Sequence, residues 1–211
     1  MRGWRRITRR AAPGESPRAY KSRAAGAWRG GHGGGACGGG GSGSPRPRRP
    51  GCPHGAIIQG GNNTDTIAGS TLDDTLTGDN GNDGVSGGDG NDSLTGGAGQ
   101  DTLIGGAGFD RLFGGAGSDL LAGQSGNDEL AGGGESDLFY FNLNGGQDII
   151  ADFQNGVDRI ALGSDITNIN LFTFQGHAAL QLMAGSSASS TYVLLQGVTA
   201  AQIDSSDFLW T

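Results

Sequence analysis

The chain has 211 residues, of which 45 are glycine and 34% are hydrophobic, and this composition argues against an ordinary core of large side chains. We therefore expect a thin and regular fold. The formal net charge of −7 conceals two parts of opposite sign. Residues 1–55 carry twelve Lys or Arg and one acid, whereas residues 56–211 carry two Arg and twenty acids, so each part is considered separately.

The N-terminal segment, residues 1–55, is rich in Arg, Gly and Pro and has too few apolar residues to form a core, so we predict a disordered tail. Its arginines, with Trp4 and Trp28, would suit phosphate contacts, but a linker or a misassigned start is favoured and no nucleic-acid partner is expected. The segment also contains Cys37, Cys52, His32 and His54. The cysteines lack the close spacing of a structural zinc site, so free thiols or one adventitious disulfide are expected.

No apolar run approaches the roughly 20 residues that span a membrane, and the N-terminus lacks the apolar stretch of a signal peptide. The sequence therefore predicts no membrane span, and export would need another signal.

The middle of the chain repeats with a period of nine from Gly60 to Tyr140, giving nine units without insertion. Internal repetition of this kind decides the fold class before propensities do. Glycine stands at the first position of every unit. Aspartate stands at the sixth position of every unit: Asp65, Asp74, Asp83, Asp92, Asp101, Asp110, Asp119, Asp128 and Asp137. An apolar residue stands at the eighth: Ile67, Leu76, Val85, Leu94, Leu103, Leu112, Leu121, Leu130 and Phe139.

Each unit combines a glycine-rich turn with a three-residue strand, so the chain is expected to coil with two units per coil. Odd units then stack on odd units and even units on even units. Their eighth-position residues form two facing ladders, one from odd and one from even units, as a core one side chain thick.

Stacking also brings together the aspartates of units two apart, in turns about 4.8 Å from each other. Neighbouring carboxylates repel, and a cation between them reverses the interaction. Carboxylate and carbonyl oxygens suit Ca²⁺, whereas Mg²⁺ demands tighter octahedral geometry and zinc or copper prefers His or Cys, which the repeats lack. We predict up to about seven calcium sites, at the pairs 65/83, 74/92, 83/101, 92/110, 101/119, 110/128 and 119/137.

The glycine pattern weakens in the early units. Asn63 and Leu72 replace the second turn glycine of units one and two, and Ser70 and Asp79 replace the neighbour of the first glycine. Leucine resists the left-handed conformation, so units three to eight are expected to form the best sites. Glu135, at the glycine position of unit nine, is either a degraded turn or an additional ligand.

After Tyr140 the period dissolves into short alternating segments separated by turn residues, so residues 141–211 are predicted to form an antiparallel β cap. No H-E-x-x-H or G-x-S-x-G motif occurs, and His177 is expected to be a sheet residue. The sequence therefore predicts a chain that is not an enzyme.

The pattern G-G-x-G-x-D-x-U-x resembles the repeats of RTX, or haemolysin-type calcium-binding, proteins. The segment "DLFYFNLNGGQDIIADFQNGVDRIAL" is similar to the region after the repeats in serralysin-type metalloproteases, and the terminal "DFLWT" resembles an uncleaved type I secretion signal. The resemblance implies an all-β fold with a right-handed parallel β-roll, adds Asp148 to the candidate calcium ligands, and implies secretion from a Gram-negative cell by the type I machinery.

The leading interpretation is a secreted, non-catalytic calcium-binding roll that folds when calcium binds. One alternative is the C-terminal part of a secreted protease, lipase or epimerase. Another is an adhesin or surface-layer component with a patch of Phe109, Phe113 and Ile104. The sequence indicates no oligomeric state.

Overall fold

The computed structural model describes residues 55–184 and 187–211 and, in addition, the backbone of two short strands, β1 (Arg5–Thr8) and β2 (Gly38–Gly39). The rest of the predicted disordered tail, with its cysteines, tryptophans and two histidines, lies outside the described residues. The remaining strands are β3 (Ile57–Gly61), β4 (Thr66–Ala68), β5 (Thr75–Asn80), β6 (Gly84–Asp89), β7 (Ser93–Ala98), β8 (Thr102–Ala107), β9 (Arg111–Ala116), β10 (Leu120–Ser125), β11 (Glu129–Gly134), β12 (Leu138–Phe141), β13 (Gln147–Ile150), β14 (Arg159–Leu162), β15 (Asn168–Phe174), β16 (His177–Ala184), β17 (Ser187–Leu195) and β18 (Phe208–Trp210). A 3₁₀ helix, Ser205–Asp207, precedes β18.

The strands form two sheets that face each other as a parallel β-roll of about six turns. The first sheet has the order β1-β15-β16-β17-β13-β11-β9-β7-β5-β3-β2, and the second has the order β18-β14-β12-β10-β8-β6-β4. Successive strands of the roll alternate between the sheets because each glycine-rich turn carries the chain across. The predicted all-β roll is confirmed.

The core consists of the two predicted ladders. In the second sheet Val85 pairs with Leu103 and Leu103 pairs with Leu121. In the first sheet Leu94 pairs with Leu112 and Leu112 with Leu130. All these side chains are buried, so the eighth position of each unit supplies the apolar surface that holds the sheets together.

The parallel stack continues beyond residue 140, where the sequence predicts an antiparallel cap. β13 pairs in parallel with β11, and β14 pairs in parallel with β12. We call the segments that carry these strands unit ten (143–151) and unit eleven (153–161). Both keep Gly at position 4, Asp at position 6 and Ile at position 8, although insertions hide them from the period of nine.

Antiparallel pairing in the C-terminal region is confined to β15, β16 and β17, which follow one another in the first sheet. β17 then returns to pair in parallel with β13, and β18 pairs in parallel with β14. β1 adds an antiparallel strand beside β15. The C-terminal region therefore extends both sheets of the roll and ends them.

The outer surface of the roll carries the aromatic residues proposed for adhesion. Phe109 and Phe113 are exposed, Ile104 is partly buried, and the guanidinium of Arg111 lies 5.2 Å from the centre of the Phe109 ring. Within the described residues no helix is long and apolar enough to cross a membrane.

Candidate metal centre

The sixth-position aspartates form two stacks, one along each edge of the roll. Units ten and eleven continue both stacks, because Asp148 follows Asp128 and Asp158 follows Asp137 in the parallel pairing. From Asp74 onward these side chains are only 0–3% exposed, and Asp65, in unit one, is partly exposed. The odd stack is Asp65, Asp83, Asp101, Asp119, Asp137 and Asp158, and the even stack is Asp74, Asp92, Asp110, Asp128 and Asp148.

One carboxylate oxygen of each aspartate, Oδ1, supports the stack itself. The backbone N–H of Asp83 donates to Oδ1 of Asp101 over 2.7 Å, and the N–H of Asp101 donates to Oδ1 of Asp119 over 2.8 Å. The same bond joins every successive pair in both stacks, at 2.7–3.0 Å from Asp83 through Asp158. Oδ1 therefore satisfies a buried N–H, a structural role that sequence reasoning did not foresee.

The other oxygen, Oδ2, receives no hydrogen bond in seven of these aspartates within the described part of the chain. They are Asp83, Asp92, Asp101, Asp110, Asp119, Asp128 and Asp137. A buried carboxylate oxygen without a donor is costly, because the charge has lost water and gained nothing in return. These seven oxygens are therefore the positions at which each turn lacks a partner for its buried carboxylate.

In five of these turns, those of Asp83, Asp92, Asp101, Asp110 and Asp119, a backbone oxygen of the next turn on the same edge lies against the same first-position glycine as Oδ2 does. A Cβ added to Gly78 would lie 2.4 Å from Oδ2 of Asp83 and 2.6 Å from the carbonyl oxygen of Gly96. Added to Gly96, it would lie 2.4 Å from Oδ2 of Asp101 and 2.6 Å from the carbonyl oxygen of Gly114. The first-position glycine thus leaves a cradle, lined by oxygens of two turns, that a side chain would fill.

The glycine carbonyls at this position stand outside the regular strand pairing. The register between β7 and β9 runs to Thr95 opposite Phe113 and resumes at Gly97 opposite Gly115. The intervening Gly96 and Gly114 have no partner in this ladder, and the same interruption recurs in the neighbouring pairs. The ladder is therefore interrupted at the glycines whose carbonyl oxygens line the cradle.

We call the space between two successive turns on one edge a gap and name it by its two aspartates. An unbonded Oδ2 on the first aspartate occurs in five of the seven predicted gaps: 83/101, 92/110, 101/119, 110/128 and 119/137. It also occurs in two gaps outside the seven predicted pairs, 128/148 and 137/158, although Asp128, Asp137 and Asp148 were predicted ligands. Asp158 was missed because the insertions before it break the period of nine.

The turns of units two and eleven differ from the interior turns because their own backbone satisfies Oδ2. In unit two the N–H of Ser70 donates to Oδ2 of Asp74 over 2.5 Å, and in unit eleven the N–H of Gln154 donates to Oδ2 of Asp158 over 2.8 Å. Both donors stand at position 2. Interior units have a positive φ there, for example 121° at Gly97, whereas Ser70 and Gln154 do not.

The irregular turn residues divide into two groups. Asp79, Gln124 and Glu135 accept the left-handed conformation, each with φ of 74°, whereas Leu72 does not adopt it. The expected resistance of Leu72 is confirmed. Glu135 occupies the turn as an exposed side chain, so unit nine keeps the regular turn without glycine at that position.

Burial raises the pKa of the stacked carboxyls, because the charged form has lost its water. This burial, only partly opposed by the backbone N–H bond to each group, raises the pKa to about 6 for Asp92, Asp110, Asp119, Asp128 and Asp137 and to about 8 for Asp148. Burial likewise raises the pKa of Asp101 and Asp158. For Asp110 the neighbouring carboxylate of Asp128 adds to the effect.

The donor set of a gap fits one class of ion. Among residues 55–184 and 187–211 no three His, Cys, Asp or Glu side chains come together, so a site built only from side chains is not present there. The five gaps from 83/101 to 119/137 instead combine carboxylate and backbone carbonyl oxygens, which are hard ligands. This set fits Ca²⁺, which tolerates variable geometry, and does not fit zinc.

His177 belongs to the first sheet of the roll. It begins β16, and its Nδ1 accepts a hydrogen bond of 3.1 Å from the N–H of Gly197. This position matches the predicted sheet residue.

Comparison with known families matches residues 59–94, 82–112, 95–130, 104–139 and 113–150 to the RTX calcium-binding nonapeptide repeat. Comparison with curated proteins found no match. Among solved structures the chain is similar to the AlgE6R3 subunit of the Azotobacter vinelandii mannuronan C5-epimerase, with 30% identity over 56% of this chain and 77% of that one and a TM-score of 0.46.

Two further solved structures are similar. The AlgE6R2 subunit of the same epimerase is 25% identical over 68% of this chain and 91% of that chain, with a TM-score of 0.43. The extracellular lipase LipA from Serratia marcescens is 18% identical over 75% of this chain and 40% of that chain, with a TM-score of 0.37. The matched family is a repeat family whose members bind Ca²⁺ in a β-roll, and it suggests a non-catalytic region. The repeats and the family match together place this chain in the family of RTX calcium-binding nonapeptide repeat proteins.

Proposed function

We propose that calcium binds in the five interior gaps of the repeats, where Oδ2 of one aspartate and the first-position glycine carbonyl of the next turn supply ligands. The observation that carries this proposal is the row of buried Oδ2 atoms without a donor. The five gaps are 83/101, 92/110, 101/119, 110/128 and 119/137. The 65/83 and 74/92 gaps bind more weakly, because Asp65 is partly exposed and Asp74 is already bonded to Ser70.

Calcium binding in these gaps is coupled to folding. Without the ion the roll must bury a row of carboxylates, and the described roll offers little positive charge against them. Arg111, for example, forms an exposed ion pair with Glu129 over 3.1 Å, away from the stacks. Because the gaps exist only in the stacked roll, the free energy of calcium binding becomes free energy of folding.

The same coupling would serve export. Proteins with these repeats are typically extracellular. We propose that this chain is secreted by the type I machinery, unfolded where free calcium is scarce and folded outside the cell. The C-terminal residues that resemble the secretion signal supply β18, which pairs with β14 in the roll. This segment would therefore be accessible to a transporter while the roll is still unfolded.

A calcium titration followed by far-ultraviolet circular dichroism tests the proposal. We expect the β signal of the metal-free chain at pH 7.5 to be weak, to rise cooperatively with Ca²⁺ and to fail to rise with equal Mg²⁺. A β signal that is the same in a chelator as in calcium would contradict the proposal.

A further inference from the structure

The turn of unit eleven contains an Asn–Gly pair, Asn155 and Gly156, that contacts the C-terminal end of the chain. We propose that Asn155 is a site of spontaneous deamidation, and that its conversion to a carboxylate weakens the attachment of the C-terminal segment, residues 202–211, to the roll. The proposal concerns a covalent change in the chain itself and does not require calcium in the gaps.

Asn155 holds the C-terminal segment through its side-chain amide. Its Nδ2 donates to Oδ1 of Asp207 over 3.2 Å and to the carbonyl of Gln202 over 3.1 Å. The opposite orientation of the amide would place an oxygen against two acceptors, so these neighbours require the nitrogen. Asp207 ends the 3₁₀ helix that precedes β18. Asn155 therefore joins the last turn of the stack to the last strand of the chain.

The carboxylate of Asp207 depends on this donor. Asp207 is 2% exposed, and its Oδ2 accepts the N–H of Asp204 over 2.8 Å. Among residues 55–184 and 187–211 the ion pair that forms joins Arg111 to Glu129, so Asp207 has no cationic partner there. A buried carboxylate is stable only when donors surround it. The amide of Asn155 supplies the donor to its second oxygen.

The main chain beside Asn155 is arranged for reaction. Asn155 and Gly156 are exposed, Gly156 has a φ of 78°, and a Cβ added to it would meet nothing within 4 Å. The N–H groups of Val157 and Asp158 both donate to the carbonyl of Gln154, over 3.0 and 2.9 Å. The N–H of Gly156 donates to no acceptor among the described residues. The nitrogen of Gly156 is therefore a free nucleophile next to the Asn155 side chain.

The reaction exchanges ammonia for water. The main-chain nitrogen of Gly156 forms a bond to Cγ of Asn155, the bond from Cγ to Nδ2 breaks, and Nδ2 leaves as ammonia with the proton from Gly156. Water then opens the cyclic imide at one of its two carbonyls, which yields aspartate or isoaspartate. No oxidant, reductant or cofactor is consumed.

Either product replaces the donor at position 155 with an acceptor. A carboxylate there faces Oδ1 of Asp207 and the carbonyl of Gln202, and the two like charges repel. Isoaspartate also lengthens the main chain within the turn that the carbonyl of Gln154 closes. β18 has only three residues, Phe208–Trp210, so few main-chain hydrogen bonds oppose this repulsion.

The chain contains two other Asn–Gly pairs, which serve as internal controls. At the first pair the N–H of Gly81 donates to the carbonyl of Ala98 over 2.8 Å, and Nδ2 of Asn80 donates to Asn62 over 2.9 Å, so both reacting groups are held. At the second pair Asn144 is exposed and its side chain forms no hydrogen bond in the described part of the chain. Asn80 is the control for reactivity, and Asn144 is the control for the consequence.

The first test measures the reaction in the full folded chain, aged in mildly alkaline buffer with calcium and mapped by mass spectrometry of its peptides. We expect the mass increase of amide-to-acid conversion at Asn155 and Asn144 well before it occurs at Asn80. Gly156→Ala, which obstructs the attacking nitrogen, should slow conversion at Asn155 alone. Conversion at Asn155 that is no faster than at Asn80 would overturn the site.

The second test measures the attachment by hydrogen exchange of residues 202–211 in calcium. Exchange in N155D should be at least about tenfold faster than in the wild type. N144D, which makes the same charge change at the unbonded asparagine, should leave it unchanged. In N155D/D207N the new amide can donate to the new carboxylate and keep an oxygen for the N–H of Asp204, so protection should return.

The result that would overturn the proposed consequence is equal exchange in N155D and the wild type. A double variant that exchanges as fast as N155D would overturn the role of the Asp207 contact. If N155D does not fold, the deamidated fraction of the aged wild type, isolated by ion exchange, provides the same comparison, because that fraction was folded before it reacted.

Discussion

The interior turns of the roll and the turns of units two and eleven use the sixth-position aspartate in different ways. In the turn of unit five the Oδ2 of Asp101 has no donor, whereas in units two and eleven the Oδ2 of Asp74 and Asp158 accepts a backbone N–H from position 2. The side chains are alike, buried alike, and bonded alike through Oδ1. The need for an ion therefore depends on the backbone conformation at position 2 as well as on the aspartate.

This difference between the two kinds of turn explains why glycine and aspartate recur together in each unit. A left-handed residue at position 2 turns its N–H away from the carboxylate, and glycine adopts that conformation with least strain. We therefore expect such a turn to be stable only when a cation neutralises the buried carboxylate. We expect the interior units to depend on calcium for this reason, whereas the turns of units two and eleven satisfy Oδ2 through their own backbone.

We expect the greatest loss of stability when a side chain is added inside an interior turn. Gly97 and Gly61 both stand at position 2 with φ near 120°, but a Cβ on Gly97 would lie 2.0 Å from the carbonyl oxygen of Asp79, and one on Gly61 would meet nothing within 4 Å. Gly97→Ala should lower the free energy of unfolding in calcium by more than about 4 kcal/mol, and Gly61→Ala by about 1–2 kcal/mol. Denaturant unfolding followed by circular dichroism measures both, and equal losses would contradict the close stacking of the turns.

The two oxygens of one interior aspartate can be separated by two substitutions. Asp101→Ala removes both, so the N–H of Asp83 loses its acceptor and the metal-free Asp101→Ala chain should be less stable than the metal-free Asp101→Asn chain by about 1–3 kcal/mol. Asp101→Asn keeps the acceptor and removes the buried charge. It should stabilise the metal-free chain and weaken calcium binding. Unfolding in chelator and in calcium distinguishes them, and a metal-free Asp101→Asn chain less stable than the wild type would contradict the assigned roles.

The pH dependence of the metal-free roll follows from the raised pKa of its carboxyls. Between the ordinary aspartate pKa and the folded value of about 6, the folded chain holds protons that the unfolded chain has released. Stability without calcium should therefore be highest near pH 4, fall as the pH rises to about 6, and continue to fall toward about 8 because of Asp148. Calcium affinity should rise over the same range.

Denaturant midpoints in calcium-free buffer at several pH values measure this dependence. The chain in saturating calcium is the control, and its stability should not fall over the same interval. Metal-free stability that rises with pH would contradict unpaired charge as the main cost of the roll.

Much of this arrangement could be predicted from the sequence, because the period of nine fixes the phase of every residue. Leu103 and Leu112 lie in opposite sheets and are both buried in the core, and Asp101 and Asp119 stack, as the spacing predicted. The different roles of Oδ1 and Oδ2 were not predictable from the sequence, since they depend on which N–H groups reach each oxygen.

The ends of the calcium-binding region were harder to predict. Unit eleven lacks the leading glycines and follows inserted residues, so Asp158 has no periodic signal, although Gly156 and Ile160 keep their positions relative to it. At the other end Ser70 looks like a minor substitution in the sequence. Its consequence appears only in the hydrogen bond to Asp74. Local backbone conformation, rather than composition, sets both limits.

Converting the turn of unit two into an interior turn should change the number of bound calcium ions only slightly. S70G/L72G gives unit two the glycines that allow a left-handed residue at positions 2 and 4, which should withdraw the N–H from Asp74 and open the 74/92 gap. We expect one more calcium ion by equilibrium dialysis than in the wild type. Thr71→Gly, which adds a glycine at position 3, is the control, and an unchanged count in S70G/L72G would contradict the role of position 2.

A crystal structure of the calcium-loaded protein, with the ions located by anomalous scattering, would show directly where calcium binds. We expect an ion in each interior gap, about 2.3–2.6 Å from Oδ2 of the first aspartate and from the carbonyl oxygen of the first-position glycine in the next turn. The 83/101 and 92/110 gaps should be occupied before the 74/92 gap. Ions bound only at exposed carboxylates such as Asp89 or Glu135, with the Oδ2 atoms of Asp83 and Asp92 free of metal, would contradict it.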